Sequence, residues 1–400
     1  MYMKKVLILG ANMFQTIAIK KAKELGYYVI CAAVGGDLPG KEAADEFYFV
    51  STTDKYAILD LARRKEVDGI LAYGTDVAAS TAAYVSERLH FPTNPYDAVK
   101  VLTNKGKFRK FMTQRGYLTP KYGAFSDKEQ AREFLITMEL PVILKPVDSS
   151  GSKGVAVIRS NEEFDLRYDE AMSYSLSGCV IIEEYIVKEG YQIDGDGFVR
   201  DGKIEFLGVL DQHNHIELNP HAPIGLSYPS IQEKKYQEEA YEIMQGIFTD
   251  LGIRFGAFNY EYIIHNNKVY LLEIGPRNGG NLIPDTVFHA TGVDMTEASI
   301  RACVGDDYTE ALRVKKHGIA TSYVIHSSSA GIFEGIEIDP RLQDHVLEMY
   351  VSTRVGDEVY RFRNASDDVG AMVLSFDDVD TMCRYMDEMW EHVRVKVREP

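Results

Sequence analysis

Short apolar runs separated by amphipathic stretches open the chain. Val6–Leu9, Tyr28–Ala33, Phe47–Val50 and Gly69–Tyr73 read as β-rich runs, while Thr16–Glu24, Lys55–Lys65 and Ala78–Arg88 carry apolar residues at helical spacing. Strands spaced by helices predict βαβ units and a parallel sheet, with ligands outside the carboxyl ends of the strands. A turn is expected at Gly35-Gly36-Asp37. Phe91-Pro92-Thr93-Asn94-Pro95 reads as a connector, because both prolines disfavour helix around them.

The pattern then changes. A basic helix is predicted over Val99–Arg115, closed by Tyr117-Leu118-Thr119-Pro120. Strand-like runs follow at Val142–Lys145, Gly154–Ile158 and Val180–Ile186, with helices over Asp127–Met138 and Glu162–Ser175. A longer mixed segment has strands near Gly195–Val199, Ile204–Leu210, Phe255–Ile264 and Lys268–Ile274, and a helix over Thr296–Val304. Length exceeds what one hydrophobic core usually organises. Four units are expected: an α/β unit over 1–95, a small α+β unit with the basic helix over 96–186, a larger mixed unit over 187–310, and an α+β unit over 311–400.

A net charge of −16 argues against a nucleic-acid surface, which needs basic stripes. The apolar run after Lys4-Lys5 is too short for a signal-peptide core or a membrane span, so a cytoplasmic location is expected. Cys31, Cys179, Cys303 and Cys383 are scattered without metal or redox spacing and read as reduced thiols.

Several motifs are decoys. Gly10-Ala11-Asn12 follows the first strand but lacks the second and third glycines of a dinucleotide fingerprint, so a plain strand-to-helix turn is expected. Gly35–Glu42 imitates a phosphate loop, yet Glu42 replaces the hydroxyl residue and Pro39 removes a donor; it reads as a surface loop. Asp194-Gly195-Asp196-Gly197 begins like a calcium loop, but Phe198 stands where the third oxygen ligand belongs.

The chemistry lies in an ordered series of pieces. Lys105 sits on the basic helix. Lys145 ends an apolar strand, and Ser149-Ser150-Gly151-Ser152-Lys153-Gly154 follows it. A buried lysine needs an anionic partner, and a Ser/Gly loop offers backbone donors to phosphate oxygens; the alternative is an exposed strand end. Val180–Ile186 runs into Glu183 and Glu184, with Glu189 shortly after; strand backbone suits an adenine edge and a carboxylate suits ribose hydroxyls. A hairpin about His265-Asn266-Asn267 would place Glu261 opposite Glu273. Carboxylates about 5 Å apart repel unless a cation lies between them, and hard oxygen ligands favour Mg²⁺ shared with phosphates. The alternative is two surface glutamates on an edge strand. Arg277 follows with Asn278-Gly279-Gly280, where it could clamp a phosphoryl group or oxyanion. Tyr73-Gly74-Thr75-Asp76 and the loop Asp211–His215 are candidates for a second substrate; for His213, His215 and His221 zinc is the competing reading. Arg301 is either a carboxylate clamp or a surface ion pair.

This order of motifs resembles the ATP-grasp superfamily, in its biotin-carboxylase-like and carbamoyl-phosphate-synthase-like branch, over roughly residues 1–310. The resemblance implies α/β and α+β architecture: an ATP-grasp fold behind an amino-terminal parallel βαβ domain. It implies ATP and Mg²⁺ as cofactors. Lys105 and Lys145 would contact ATP phosphates, with Ser149, Ser150, Gly151, Ser152 and Gly154 in a mobile lid. Glu183 would meet the adenine amino group, main-chain groups of Glu184 and Ile186 would complete adenine recognition, and Glu189 would hold ribose. Glu261 and Glu273 would bind magnesium, and Arg277 would act with Lys145 on the reacting phosphoryl and acyl groups. One departure stands out: the family often has asparagine where this chain has Gly275, which leaves Asn278 or Asn281 as substitutes. The Gly275–Gly280 segment looks like the carboxylate–amine ligases, and no Met-Lys-Met biotin-carrier segment is present. The implied activity is ADP-forming ligation of a carboxylate to an amine through an acyl phosphate. A bicarbonate-using carboxylase, a phosphotransferase or a non-catalytic nucleotide-binding module are the alternatives. Small-molecule substrates are expected as partners, with no nucleic acid or membrane, and a homodimer by family analogy.

Overall fold

Four short strands, apolar apart from Lys5 and Glu46 at the starts of two of them, form the first sheet of the computed structural model, which describes residues 2–36 and 38–398. They are β1 (Lys5–Leu9), β2 (Tyr28–Ala33), β3 (Glu46–Phe49) and β4 (Gly69–Ala72), all parallel in the order β3-β2-β1-β4. The core strands β1, β2 and β4 are covered on both faces, which explains their unbroken apolar runs. The strand order reverses beside β1, so the loops after β1 and β4 open side by side. After β1 the turn is a helix cap, as expected. The Asn12 side chain accepts from the amides of Phe14 and Gln15, and the Gln15 side chain accepts from the Asn12 amide. Gly10 is required there: its φ is +101°, and a Cβ would lie 2.9 Å from Gln15. The expected surface loop at Gly35–Glu42 instead includes a helical turn, Gly40–Ala43, whose Gly40 is buried against Ala11 and Ile19. Asp37 lies outside the described residues.

The predicted basic helix is two helices, Tyr96–Leu102 and Lys105–Arg115. Asn104 breaks them by capping the second: its side chain accepts from the Lys107 amide, while the Lys105 amide donates to Val147 O at 2.8 Å. Lysine in a first helical turn opposes the helix dipole, so Lys105 is placed there for something other than helix stability.

A small antiparallel sheet follows: β5 (Tyr122–Phe125), β6 (Val142–Pro146), β7 (Ala156–Ile158) and β8 (Val180–Glu184), in the order β5-β8-β6-β7. Helices Lys128–Ile136 and Phe164–Ser173 cover one face and bury Val142 and Leu144. Alternation along β6 therefore sends Ile143 and Lys145 to the opposite face.

The largest sheet has eight strands. In chain order they are β9 (Gln192–Arg200), β10 (Lys203–Asn214), β11 (Pro223–Tyr228), β12 (Gly256–His265), β13 (Lys268–Gly275), β14 (Ile319–His326), then, after β15 (Gly331–Ile338), β16 (Val346–Val351), and, after β17 (Glu358–Val359), β18 (Asp368–Phe376). The spatial order is β13-β12-β9-β10-β11-β14-β18-β16. The helix Lys234–Leu251 packs Ala240, Met244, Ile247 and Phe248 onto Phe258, Tyr260 and Tyr262 of β12. Alternation then turns Asn259 and Glu261 of β12, and Asp194 and Asp196 of β9, to the other face.

The largest sheet runs across the expected boundary at residue 310. β11 pairs with β14, Gly225 opposite Tyr323, so the sheet of the 187–310 segment continues through 311–400. Only β15, β17 and β19 (Val393–Arg398) form a separate three-stranded sheet there. The four cysteines are free, and among the described residues no helix is long and apolar enough to cross a membrane.

Candidate functional site

The β12–β13 hairpin brings Glu261 opposite Glu273, as the sequence predicts, by a different route. The turn has two residues, Asn266 and Asn267, both at positive φ (50° and 56°), and His265 pairs with Lys268. That register alone would offset the two glutamates by one residue. A bulge between Glu261 and Tyr262 restores the pairing. The carboxylates border a cleft of about 350 Å³ together with Lys105, Lys145, Asn259, Arg277, Asn281 and the loop Ser149–Lys153. Lys105 Nζ lies 2.9 Å from Glu273 Oε2 and donates to Ser149 O at 3.0 Å. Glu261 Oε2 accepts from Gln192 Nε2 at 2.8 Å. Burial pushes the Glu261 carboxyl well up, and the neighbouring Glu273 charge adds to this. Burial also acts on Glu273, but Lys105 outweighs it and holds that carboxyl below its ordinary range. The two facing carboxyls are thus pushed in opposite directions.

Arg277 is buried and reaches across to the amino-terminal unit. Its Nη2 pairs with Asp76 Oδ2, Nη1 donates to Asn278 O at 3.1 Å, and Nε has no partner. Asp76 follows β4, so the expected second-substrate motif Tyr73–Asp76 is tied directly to the arginine. The glycine at 275 now has a physical reason. A Cβ there would lie 2.5 Å from Asp76 Oδ1 and 3.0 Å from Arg277 Cζ, which leaves no room for asparagine. Of the two proposed substitutes, Asn281 borders the cleft, whereas Asn278 is buried with its Oδ1 accepting from Ser299 at 2.7 Å.

Asp194 and Asp196, set aside in the sequence as a failed calcium loop, are buried strand residues, and Asp194 borders this cleft. Asn259 Nδ2 donates to Asp194 Oδ1 at 2.8 Å and Asp196 Oδ1 at 3.1 Å, and Asp196 also accepts from the Gly279 amide at 2.8 Å. Burial pushes both carboxyls up to about 7. Asp196 thereby holds the Gly279 amide that follows Arg277. The alternating Asp-Gly-Asp-Gly pattern was the signal: two acids of one parity on a strand share one face.

Lys145 reaches the cleft from β6, with Nζ 2.6 Å from Glu183 Oε2; Arg109 Nε, fully buried, donates to Glu183 Oε1 at 2.6 Å. Glu183 therefore has both oxygens engaged in an ion network, where the sequence expected it to meet adenine. Arg109 also donates to Leu271 O and Leu272 O, tying the small sheet to β13; nothing in the sequence singled it out. A second cavity, about 600 Å³, adjoins the cleft and shares Ile143, Lys145, Gln192, His221 and Leu272 with it. Glu184 and Ile186 border it, though the Glu184 amide is already spent on Lys121 O at 2.8 Å. Glu189 borders neither cavity: its Oε1 accepts from the Asn266 amide and its own amide donates to Ile264 O, so it braces the hairpin turn and is not placed to hold ribose.

The Ser149–Gly154 loop lies folded over the cleft. Gly151 and Gly154 take φ of 70° and 69°, Ser152 Oγ donates to His221 O at 2.9 Å, and the Ala365 amide donates to Gly151 O at 3.3 Å. The expected polar loop Asp211–His215 is largely strand β10. His213 bridges Asp387 and Ser227, and His215 contacts His326 at 3.0 Å and stacks on Trp390. Among the described residues no group of three His, Cys, Asp or Glu side chains forms a metal cage, which removes the zinc reading. Arg301 pairs with Glu297 one helical turn away.

A family model described as the ATP-grasp domain matches residues 102–281, the span that holds Lys105, Lys145, Glu261, Glu273 and Arg277. The chain carries an ATP-grasp domain. The part after the ATP-grasp domain, residues 324–398, matches L-amino acid ligase C-terminal domain 2. The carbamoyl phosphate synthase large chain of Thermotoga sp. (strain RQ2) is 23% identical over 280 residues, covering 68% of this chain and 24% of that protein. The chain thus spans about a quarter of the length of the carbamoyl phosphate synthase large chains it matches. The formate-dependent phosphoribosylglycinamide formyltransferase of Wolinella succinogenes is 26% identical over 274 residues, with 68% of this chain and 70% of that protein covered. In fold, the L-amino acid ligase of Bacillus licheniformis superposes with a TM-score of 0.81 at 18% identity, over 99% of both chains.

Proposed function

We propose that this protein is an ATP- and Mg²⁺-dependent, ADP-forming ligase that joins a carboxylate to an amine, with L-amino acids as the candidate substrates. The observation that carries the reading is the convergence of Lys105, Lys145, Arg277 and the Glu261–Glu273 pair on one cleft beside a second, adjoining cavity. Together the two spaces suit a nucleotide: base and sugar in the larger one, bordered by Ile186, and phosphates in the acidic one. The match of residues 324–398 to an L-amino acid ligase domain supports the substrate class.

Two facing carboxylates, one of them pushed up by burial and by its neighbour, fit a divalent cation, and all-oxygen donors suit magnesium. Beyond these two carboxylates, phosphate oxygens and water would supply the remaining ligand positions. Glu261 and Glu273 would hold the ion, which would neutralise phosphate charge as the phosphoryl group moves. Lys105 and Lys145 would orient the phosphate tail, and the Ser149–Gly154 loop would exclude water. The substrate carboxylate attacks the γ-phosphate and ADP leaves; the amine then attacks the acyl carbon and phosphate leaves. Arg277, held by Asp76 and with its Nε free to donate, would steady the acyl phosphate and the oxyanion that follows.

The test is trapping. With hydroxylamine, ATP and magnesium, a panel of L-amino acids is expected to give hydroxamate and ADP in equal amounts from at least one acid. ATP hydrolysis without hydroxamate from any acid, or AMP as product, would sink the reading.

A further inference from the structure

A third cavity, about 860 Å³, lies between the helices Met13–Glu24 and Ile283–Thr291 and strand β16. It meets the acidic cleft at Asn12, Phe14 and Ala365, which border both. Part of its wall is apolar and left accessible: Phe288, Met349 and Val351 are 40%, 45% and 44% exposed. A concave apolar wall of this kind is complementary to an apolar group on a ligand. The rest is acidic. Glu348 pairs there with His289 at 2.6 Å, and Asp294 with Lys21 at 2.9 Å. Asp285 and Asp368 have no side-chain hydrogen bond or ion pair among the described residues beyond contact with their own amides. Burial pushes Asp285 up to about 7, with Glu348 and Asp294 adding to the rise and His289 opposing it. Burial likewise pushes Asp368 up to about 6, with Asp367 adding and Lys153 opposing. Acids in this state are relieved by a cation brought in by a ligand. Asp285 also stands in the first turn of the helix whose Ile283 borders the acidic cleft, so it flanks the junction of the two spaces.

We propose that this chamber receives the amine substrate, an amino acid or short peptide with an apolar side group, and that Asp285 anchors its ammonium and takes its proton. The inference rests on the ligase reading above. The ammonium gives one proton to the Asp285 carboxylate. The freed lone pair forms the C–N bond at the acyl carbon, the C–O bond to phosphate breaks, and phosphate leaves with that electron pair and the second N–H proton. Asp285 then returns its proton to solvent. Asp368 adds negative charge to the same chamber.

The experiment uses the full chain and whichever acid forms hydroxamate, with L-leucine, L-glutamate and hydroxylamine as competing nucleophiles. Hydroxylamine is small and uncharged near neutral pH, so it needs neither the apolar wall nor an ammonium anchor. The wild type is expected to couple leucine about tenfold or more faster than glutamate, and Asp285→Asn to lose about tenfold more in leucine coupling than in hydroxamate formation. Met349→Glu, an exposed position on β16, is expected to lower leucine coupling in the same selective way. Equal losses in both reactions for these variants, or no preference for leucine over glutamate in the wild type, would overturn the proposal. Absence of hydroxamate from every acid in the wild type would instead remove the ligase reading on which it stands.

Discussion

Glu273→Ala is expected to lower turnover on the order of a hundredfold or more, the effect of about 3–4 kcal/mol of lost transition-state stabilisation, while the protein still folds. The size follows from what one side chain does. Glu273 is the member of the acid pair whose carboxyl is held below its ordinary range, it binds Lys105, and it faces Glu261 across two strands. Its removal takes away half of the proposed cation grip and frees Lys105 to swing onto Glu261, so that two groups leave their working positions together. The fold does not depend on it in the same way, because the hairpin is held by the backbone ladder and by the Tyr260–Tyr262 packing beneath it. Circular dichroism and single-turnover ADP release separate the two effects. Wild-type turnover in this variant would remove the residue from the machinery.

The second large effect is on stability. Arg109→Met is expected to cost about 3–5 kcal/mol, because it leaves a buried carboxylate with one of its two cations gone. Arg109 is wholly buried and makes the only guanidinium contact described for Glu183, while also donating to Leu271 O and Leu272 O. Burial tends to raise the Glu183 carboxyl, but Arg109 and Lys145 outweigh it and hold it at about 2. The folded value is depressed, so the pair's contribution is present above the ordinary carboxylate range and is lost as pH falls through that range towards 2. In Arg109→Met this acid-side dependence should shrink along with the stability. Denaturant midpoints measured for both proteins near neutral pH and near pH 3 read both consequences. A loss below about 1 kcal/mol would place Arg109 among weakly contributing ion pairs.

Much of the site was legible because strand alternation and hairpin pairing are local rules. Lys145 at the end of an apolar strand, and Glu261 and Glu273 on either side of a turn, could be placed from spacing alone. What spacing could not show was a compensation: the turn is shorter than expected and a bulge makes up the difference. The parallel amino-terminal sheet was equally visible, since strands buried on both faces announce themselves as unbroken apolar runs.

The failures share one cause, which is that long-range partners leave no local mark. Arg109 looked like one more charge on a basic helix until Glu183, far along the chain, met it. Glu183 borders the cavity proposed for the base, but its two cation partners could not be read from the sequence, nor could the tie of Glu189 to the hairpin turn. Asp194 and Asp196 failed as a loop motif because they belong to a strand, where their shared face matters more than their spacing. That a sheet continues past residue 310 was equally hidden, because β14 finds its partner in β11, across the helix Lys234–Leu251 and the whole β12–β13 hairpin.

The account stands most directly on where a divalent ion binds. Crystals grown with Mn²⁺ and a non-hydrolysable ATP analogue, measured at the manganese absorption edge, locate that ion without reference to activity. An anomalous peak about 2.0–2.3 Å from carboxylate oxygens of both Glu261 and Glu273, and in contact with the analogue's phosphates, is the predicted result. A peak elsewhere, or the analogue bound with no metal between those two side chains, would contradict it.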